Sequence, residues 1–210
     1  MSTPSKKSNN KNPPLDFRST RDGAWYYVDK LLLSKKNTTL TVRFLGFDRN
    51  DDEKFNVKDF KTGKELDDFV KRFRPSAVQL QDEECKDVKR FWFVCACLEL
   101  GEEDQRFYNG FIESIHRELH TIKRGEERCS CTFVVGWLEG PKAGRTENKR
   151  LENICKVQLG SPLFDQALAG FVNTSRARLD SVSNGDHLPV KKVTPEDNTE
   201  RQTKNSDAYL

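Results

Sequence analysis

No stretch of this chain approaches the roughly 18 consecutive apolar residues of a membrane-crossing helix, and its opening residues, MSTPSKKSNNKNPP, hold no apolar run of the kind a secretory leader needs. These absences argue against membrane insertion and secretion and leave the cytosol or nucleus as the expected compartment. A dominant charge of one sign is also lacking: 36 Lys and Arg against 33 Asp and Glu leave a formal charge of +3, spread along the chain. Sequence-independent binding to nucleic acid needs a dense basic stripe, and this falls well short of one. There is no P-loop, no G-x-S-x-G, no H-E-x-x-H and no dinucleotide-binding glycine pattern, and three histidines supply few general bases. The abundant acidic residues read as solvated surface, so no enzyme activity is expected.

What remains is a polar chain with an apolar middle. Of 210 residues, 33% are charged and 35% hydrophobic, and the mean hydropathy is −0.80. That leaves apolar material for one substantial domain, or two small barrels sharing a core, with tails outside it. Residues 1–14 and the stretch from about Ser183 to Leu210 have little to bury and are expected to be disordered. From Trp25 onward, short runs rich in Val, Phe, Tyr and Trp recur at close spacing, among them WYYVDKLLL, TLTVRFLGF, FWFVCACLEL and CTFVVGWL. They predict a mostly β architecture of the barrel type rather than alternating βα units. Val42 and Phe44 alternate on to one strand face, as do Phe93, Cys95 and Cys97.

Two segments break the β pattern. KELDDFVKRF, residues 64–73, spaces Leu66, Phe69, Val70 and Phe73 as a helical stripe stopped by Arg74-Pro75, and predicts a short inserted helix. Later, Ser161 can cap a C-terminal helix over 161–182, with Pro162 in its first turn and Asp165 in reach of a capping box. Leu163, Phe164, Ala167, Leu168, Phe171 and Val172 form its apolar stripe, which should pack on the barrels.

In a reducing compartment the six cysteines are expected to be thiols or metal ligands rather than disulfides. His120, Cys129, Cys131 and Cys155 combine one imidazole with three potential thiolates, a mix suited to a closed, structural zinc shell. Cys129 and Cys131, placed on one strand, would aim both sulfurs to the same side. The spacing is nevertheless that of no common finger or ribbon, and a free cysteine is often simply a small buried apolar group. Cys85, Cys95 and Cys97 remain as further candidates, and His116 as an alternative to His120, which is favoured for its nearness to a turn.

Trp25, Tyr26, Tyr27, Phe44 and Phe47 cluster near the front of the β region. Aromatic faces attract a desolvated methylated ammonium by about 2 kcal/mol or more per contact. Rings of this kind also fill barrel cores without any guest. Gly46-Phe47 breaks the alternation at the end of its strand, where a ring can project into a groove.

RDGAWYYV at 21–28, VRFLGF at 42–47, EKFNVK at 53–58, EEC at 83–85 and the downstream CSC and ICK, in this order and spacing, resemble the SAWADEE domain of plant chromatin proteins. The resemblance covers about residues 16–156. It implies a tandem tudor-like domain over 15–160, with a first lobe at about 15–84, a second at about 85–160, and a structural zinc in the second. It also implies a reader of the histone H3 tail methylated at lysine nine, acting in the nucleus in gene silencing or RNA-directed DNA methylation. RNA polymerase or chromatin-remodelling subunits are its implied partners. The family's methyl-lysine cage falls on Tyr26, Phe44 and Phe47. Its acidic pair for an unmodified lysine four falls on Asp16 and Tyr27, one acid shortened and the other lost. Its zinc ligands map to His120, Cys129, Cys131 and Cys155, with a longer loop between the histidine and the first cysteine. No homeodomain pattern precedes the region in these residues.

Two other functions compete. Tyr27, standing where an acid is expected, motivates a scaffold or assembly subunit with a weak or idle pocket. Lys6, Lys7 and Lys11, with exposed aromatics on small barrels, motivate nucleic-acid binding.

Overall fold

Among the residues described by the computed structural model, 13–102 and 104–185, thirteen strands and two α-helices are arranged as two lobes. Most of both expected tails, residues 1–12 and 186–210, lies outside the described residues.

The first lobe contains β1 (Leu15–Arg18), β2 (Trp25–Leu33), β3 (Thr39–Phe44), β4 (Glu53–Asn56), α1 (Gly63–Val70) and β5 (Phe73–Pro75). Its strands run antiparallel in the order β4-β3-β2-β1-β5. On β3 the alternation expected from the sequence puts Leu40, Val42 and Phe44 inward, where they meet Phe17, Leu66, Phe69 and Phe73.

α1 is shorter than the stripe at 64–73 suggested. Thr62 caps it by accepting the Glu65 N–H at 3.2 Å, and it ends at Val70. Phe73 and Arg74-Pro75 then form β5 against β1 rather than closing the helix. Phe73 reaches the same core from a strand, because a buried apolar position at helical spacing also satisfies the facing sheet.

The second lobe contains β6 (Val78–Gln79), β7 (Phe93–Glu99), β8 (Gln105–His116), β9 (Thr121–Lys123), β10 (Glu126–Arg128), β11 (Thr132–Trp137), β12 (Thr146–Lys149) and β13 (Ile154–Lys156). Its main order is β12-β11-β8-β7-β13-β6, with β9 and β10 as a separate hairpin. Val94, Ala96, Leu98, Tyr108, Ile112, Phe133, Val135 and Trp137 fill its core. Leu80 belongs to this core and β6 pairs with β13, so the chain changes lobe just after Pro75, earlier than the boundary near residue 84. Trp25 on β2 pairs with Phe107 on β8, which makes the strands of both lobes one eleven-stranded sheet.

The C-terminal segment begins with a 3-10 turn, Pro162–Phe164, capped by Ser161, and only then becomes α2 (Gln166–Gly185). The α-helix cap is Asp165, whose Oδ1 accepts the N–H groups of Ala167 and Leu168 at 2.9 and 3.0 Å. Leu168, Phe171 and Val172 enter the first-lobe core, while Leu163 stays 38% exposed, off the stripe. Each fully buried side chain of this size contributes roughly 1.5–3 kcal/mol. Arg176 pairs with Asp67 at 2.8 Å, and Arg178 donates to the carbonyls of Val57 and Phe60. α2 therefore returns to complete the first lobe.

Candidate functional site

β2 supplies Tyr26, the last residue of β3 supplies Phe44, and a turn through Gly46, at φ +83°, brings Phe47 back beside them. The ring centroids lie 5.5 Å apart for Tyr26 and Phe44, 5.3 Å for Tyr26 and Phe47, and 6.1 Å for Phe44 and Phe47. Phe44 is buried and backed by Phe17, whereas Phe47 is 50% exposed, so the trio leads from the core to the surface. The Tyr26 hydroxyl donates to Asp22 Oδ2 at 2.6 Å. Burial, and then the adjacent carboxylate, push its pKa up, which keeps it a neutral donor.

Asp16 and Tyr27 face each other across β1 and β2. The Asp16 carboxylate is turned into the protein, accepting the Ala77 N–H at 2.9 Å and Arg74 Nε at 3.4 Å. Burial pushes its pKa up against the pull of those donors. Of these two positions only Tyr27, 45% exposed, offers its side chain to solvent.

A second constellation lies in the other lobe. Cys85, His120, Cys129 and Cys131 bring their ligand atoms within 4.8 Å of one another. The longer loop after His120 is the β9–β10 hairpin, closed by Arg124 and Gly125, both at positive φ as a two-residue hairpin turn requires. Thr121 pairs with Arg128, so the hairpin returns Cys129 to the side of His120, and the extra length leaves the cluster intact. Cys129 and Cys131 sit in the link before β11 rather than on a strand.

Cys85 is the candidate ligand that sequence reasoning placed among the leftovers. It sits in a 3-10 turn, Asp82–Asp87. Cys155 does not join the cluster. On β13 it stands opposite Cys95, against Trp25 and Gln79. Its neighbour Ile154 points into the barrel core, and strand alternation therefore turns Cys155 to the opposite face. Burial pushes the Cys155 thiol up to about 12 and Cys95 up to about 11, so both are protonated packing residues. His116, exposed at the end of β8, is also outside the cluster.

The donor set fits a tetrahedral metal. Ligand bonds of about 2.3 Å put sulfurs about 3.8 Å apart, so contraction by about 1 Å would close the shell. His120 Nδ1 lies 2.6 Å from Glu127 Oε1, which leaves Nε2, 3.3 Å from Cys131 Sγ, facing the cluster. Burial opposes ionisation of Cys131, but the Glu118 N–H, His120 and the other thiols overcome it and bring its pKa down to about 7. Cys85 is pushed up to about 12 by burial and by the two neighbouring thiols. Arg117 lies 3.1 Å from Cys85 Sγ and also donates to the carbonyls of Cys85 and Val88, placing a fixed positive charge beside the sulfurs. Four protein donors with a carboxylate behind the histidine could hold a metal ion.

The sequence pattern of the SAWADEE domain matches residues 11–155. Protein SAWADEE HOMEODOMAIN HOMOLOG 1 of Arabidopsis thaliana is 28% identical over 147 residues, covering 68% of this chain and 49% of the relative. This chain thus spans about half the length of that protein. Two crystal structures of an SHH1 SAWADEE domain, the first from Arabidopsis thaliana, are similar at 25% identity, each covering 71% of this chain and all of the other. One is a selenium-substituted double mutant, with a TM-score of 0.52, and the other is a complex with an H3K9me3 peptide, with a TM-score of 0.51. With the family pattern spanning more than half its length and a two-lobed β fold shared with these structures, this chain belongs to the SAWADEE domain family.

Proposed function

We propose that this chain is a non-catalytic chromatin reader that captures the histone H3 tail methylated at lysine nine between Tyr26, Phe44 and Phe47. The observation that carries this reading is the mutual approach of three rings, 5.3 to 6.1 Å between centroids, at the boundary of core and solvent. A methylated ammonium sheds water easily and gains from the negative ring faces, and its methyl groups gain from apolar contact. A related domain crystallised with an H3K9me3 peptide supports the choice of guest. The metal of the second lobe is zinc, chosen by three thiolates and one imidazole. With four protein ligands it has no open position, so it stabilises the lobe and does no chemistry.

Asp16 is occupied by Arg74 and the Ala77 N–H, and Tyr27 carries no charge, so selection of an unmethylated lysine four is weak in this reader. Nuclear residence and a role in silencing, alongside polymerase or remodelling subunits, follow from the same reading. Titration of H3 peptides, unmodified and methylated at lysine nine, against wild type and Phe47→Ala tests it. Tighter binding of the methylated peptide, lost on removal of the ring, is expected. Equal or undetectable binding of both peptides by the wild type would favour the scaffold reading.

A further inference from the structure

The Tyr26 hydroxyl is held by a carboxylate that is itself tied to the other lobe. The hydroxyl donates to Asp22 Oδ2 at 2.6 Å, the short distance of a charge-assisted bond, and Asp22 Oδ1 accepts the Ala24 N–H at 3.0 Å. Arg106, on β8 of the second lobe, donates from Nη1 to the same Asp22 Oδ2 at 3.1 Å. Arg106 is in turn gripped by Asp104, Nε to Oδ1 and Nη2 to Oδ2, both at 2.8 Å. Asp22 and Arg106 are about one-fifth and one-third exposed, so solvent only partly weakens this chain of bonds.

A phenol that donates to a carboxylate shifts electron density into its ring and deepens the negative face that attracts a cation. On this basis, and resting on the methyl-lysine reading above, we infer that Asp22 and Arg106 are positioning residues of the cage: Asp22 orients Tyr26 and strengthens its attraction for a methylated ammonium, and Arg106 fixes Asp22 from the metal-bearing lobe. Affinity for the histone tail is thereby coupled to the seam between the lobes. Neither residue touches the guest.

Two H3 peptides separate this electrostatic role from a merely structural one: one trimethylated at lysine nine, the other carrying the neutral tert-butyl isostere, of the same shape without the charge. Asp22→Asn weakens the trimethylated peptide roughly five-fold and changes the isostere little. Tyr26→Phe, which keeps the ring and removes only the hydroxyl, gives the same selective loss and serves if Asp22→Asn does not fold. Adding Asp22→Asn to Tyr26→Phe then has no further effect, and Arg106→Gln moves affinity in the same direction. Equal weakening of both peptides, or an Asp22→Asn effect that persists without the hydroxyl, overturns the inference while leaving the reader function standing. Tyr26→Phe with unchanged preference for the charged peptide overturns it too. A wild type that binds neither peptide removes the reader function itself, and this inference with it.

Discussion

Arg74 on β5 donates to Asn109 Oδ1 on β8 at 2.7 Å, a buried bond that runs from one lobe to the other. The same guanidinium lies 3.7 Å over the Trp25 ring and pairs with Asp16. A second tie runs nearby, where Glu139 accepts from Arg18 and from the Trp25 indole at 2.6 and 3.1 Å.

Because Arg74 is charged and buried, loss of its partner is costly. Asn109→Ala is expected to lower the unfolding free energy by about 2 kcal/mol. Urea denaturation checks this, and an unchanged midpoint would remove Arg74 as the link between lobes.

The metal cluster predicts a division among the cysteines. Cys85→Ser, Cys129→Ser or Cys131→Ser should each reduce bound zinc and lower the melting temperature, and a strong chelator should do the same to the wild type. Cys155→Ser should keep its zinc. Metal content by elemental analysis decides, and retention of zinc by Cys85→Ser with its loss in Cys155→Ser would restore the ligand set expected from sequence.

Phe47 and Phe44 should respond differently to truncation. Phe47 is 50% exposed, so Phe47→Ala should cost methylated-peptide affinity about ten-fold with little change in melting temperature. Phe44, 6% exposed and packed on Phe17, also supports the core, and Phe44→Ala should cost about 3 kcal/mol of stability as well. Calorimetric titration and thermal melting on both variants separate binding from folding.

Lys149 is buried against Trp137, with Glu147 as its ion-pair partner at 3.4 Å. Burial pushes the Glu147 carboxyl up, but Lys149 and Lys142 together hold it below its ordinary 4.5. A carboxyl depressed in the folded state stabilises above its unfolded pKa, and that contribution disappears as pH falls through the folded value. Glu147→Gln should therefore be less stable than wild type near neutrality, and the gap should close in acid. A gap that stays constant from neutral pH into acid would show that the carboxylate plays no part.

An H3 peptide carrying trimethyl-lysine nine should bind with nearly the same affinity whether lysine four is free or methylated. Asp16 is committed to Arg74 and Ala77 and Tyr27 is uncharged, so neither holds a carboxylate ready for an ammonium. A loss of ten-fold or more on methylating lysine four would return Asp16 to the binding surface.

Local chemistry by itself determined a good deal of this protein. Alternation in TLTVRF and the stripes before Phe73 and after Ser161 marked strands and helices, because each depends on periodicities of a few residues, whereas Tyr26, Phe44 and Phe47 were singled out among the clustered aromatics only by the resemblance to the SAWADEE family. Tertiary structure alone decided which sulfur completes the candidate metal cluster. Cys85 and Cys155 both lie too far along the chain from the Cys129-Ser130-Cys131 pair for local spacing to choose between them, and the choice follows from a 3-10 turn packed beside a hairpin base and from the face of β13 that looks at Cys95. It also turned Asp16 inward, moved the crossing between lobes to Pro75, and set Arg106 behind Asp22 and Tyr26. These outcomes depend on pairings between distant strands, whose register is settled only when whole faces are buried together.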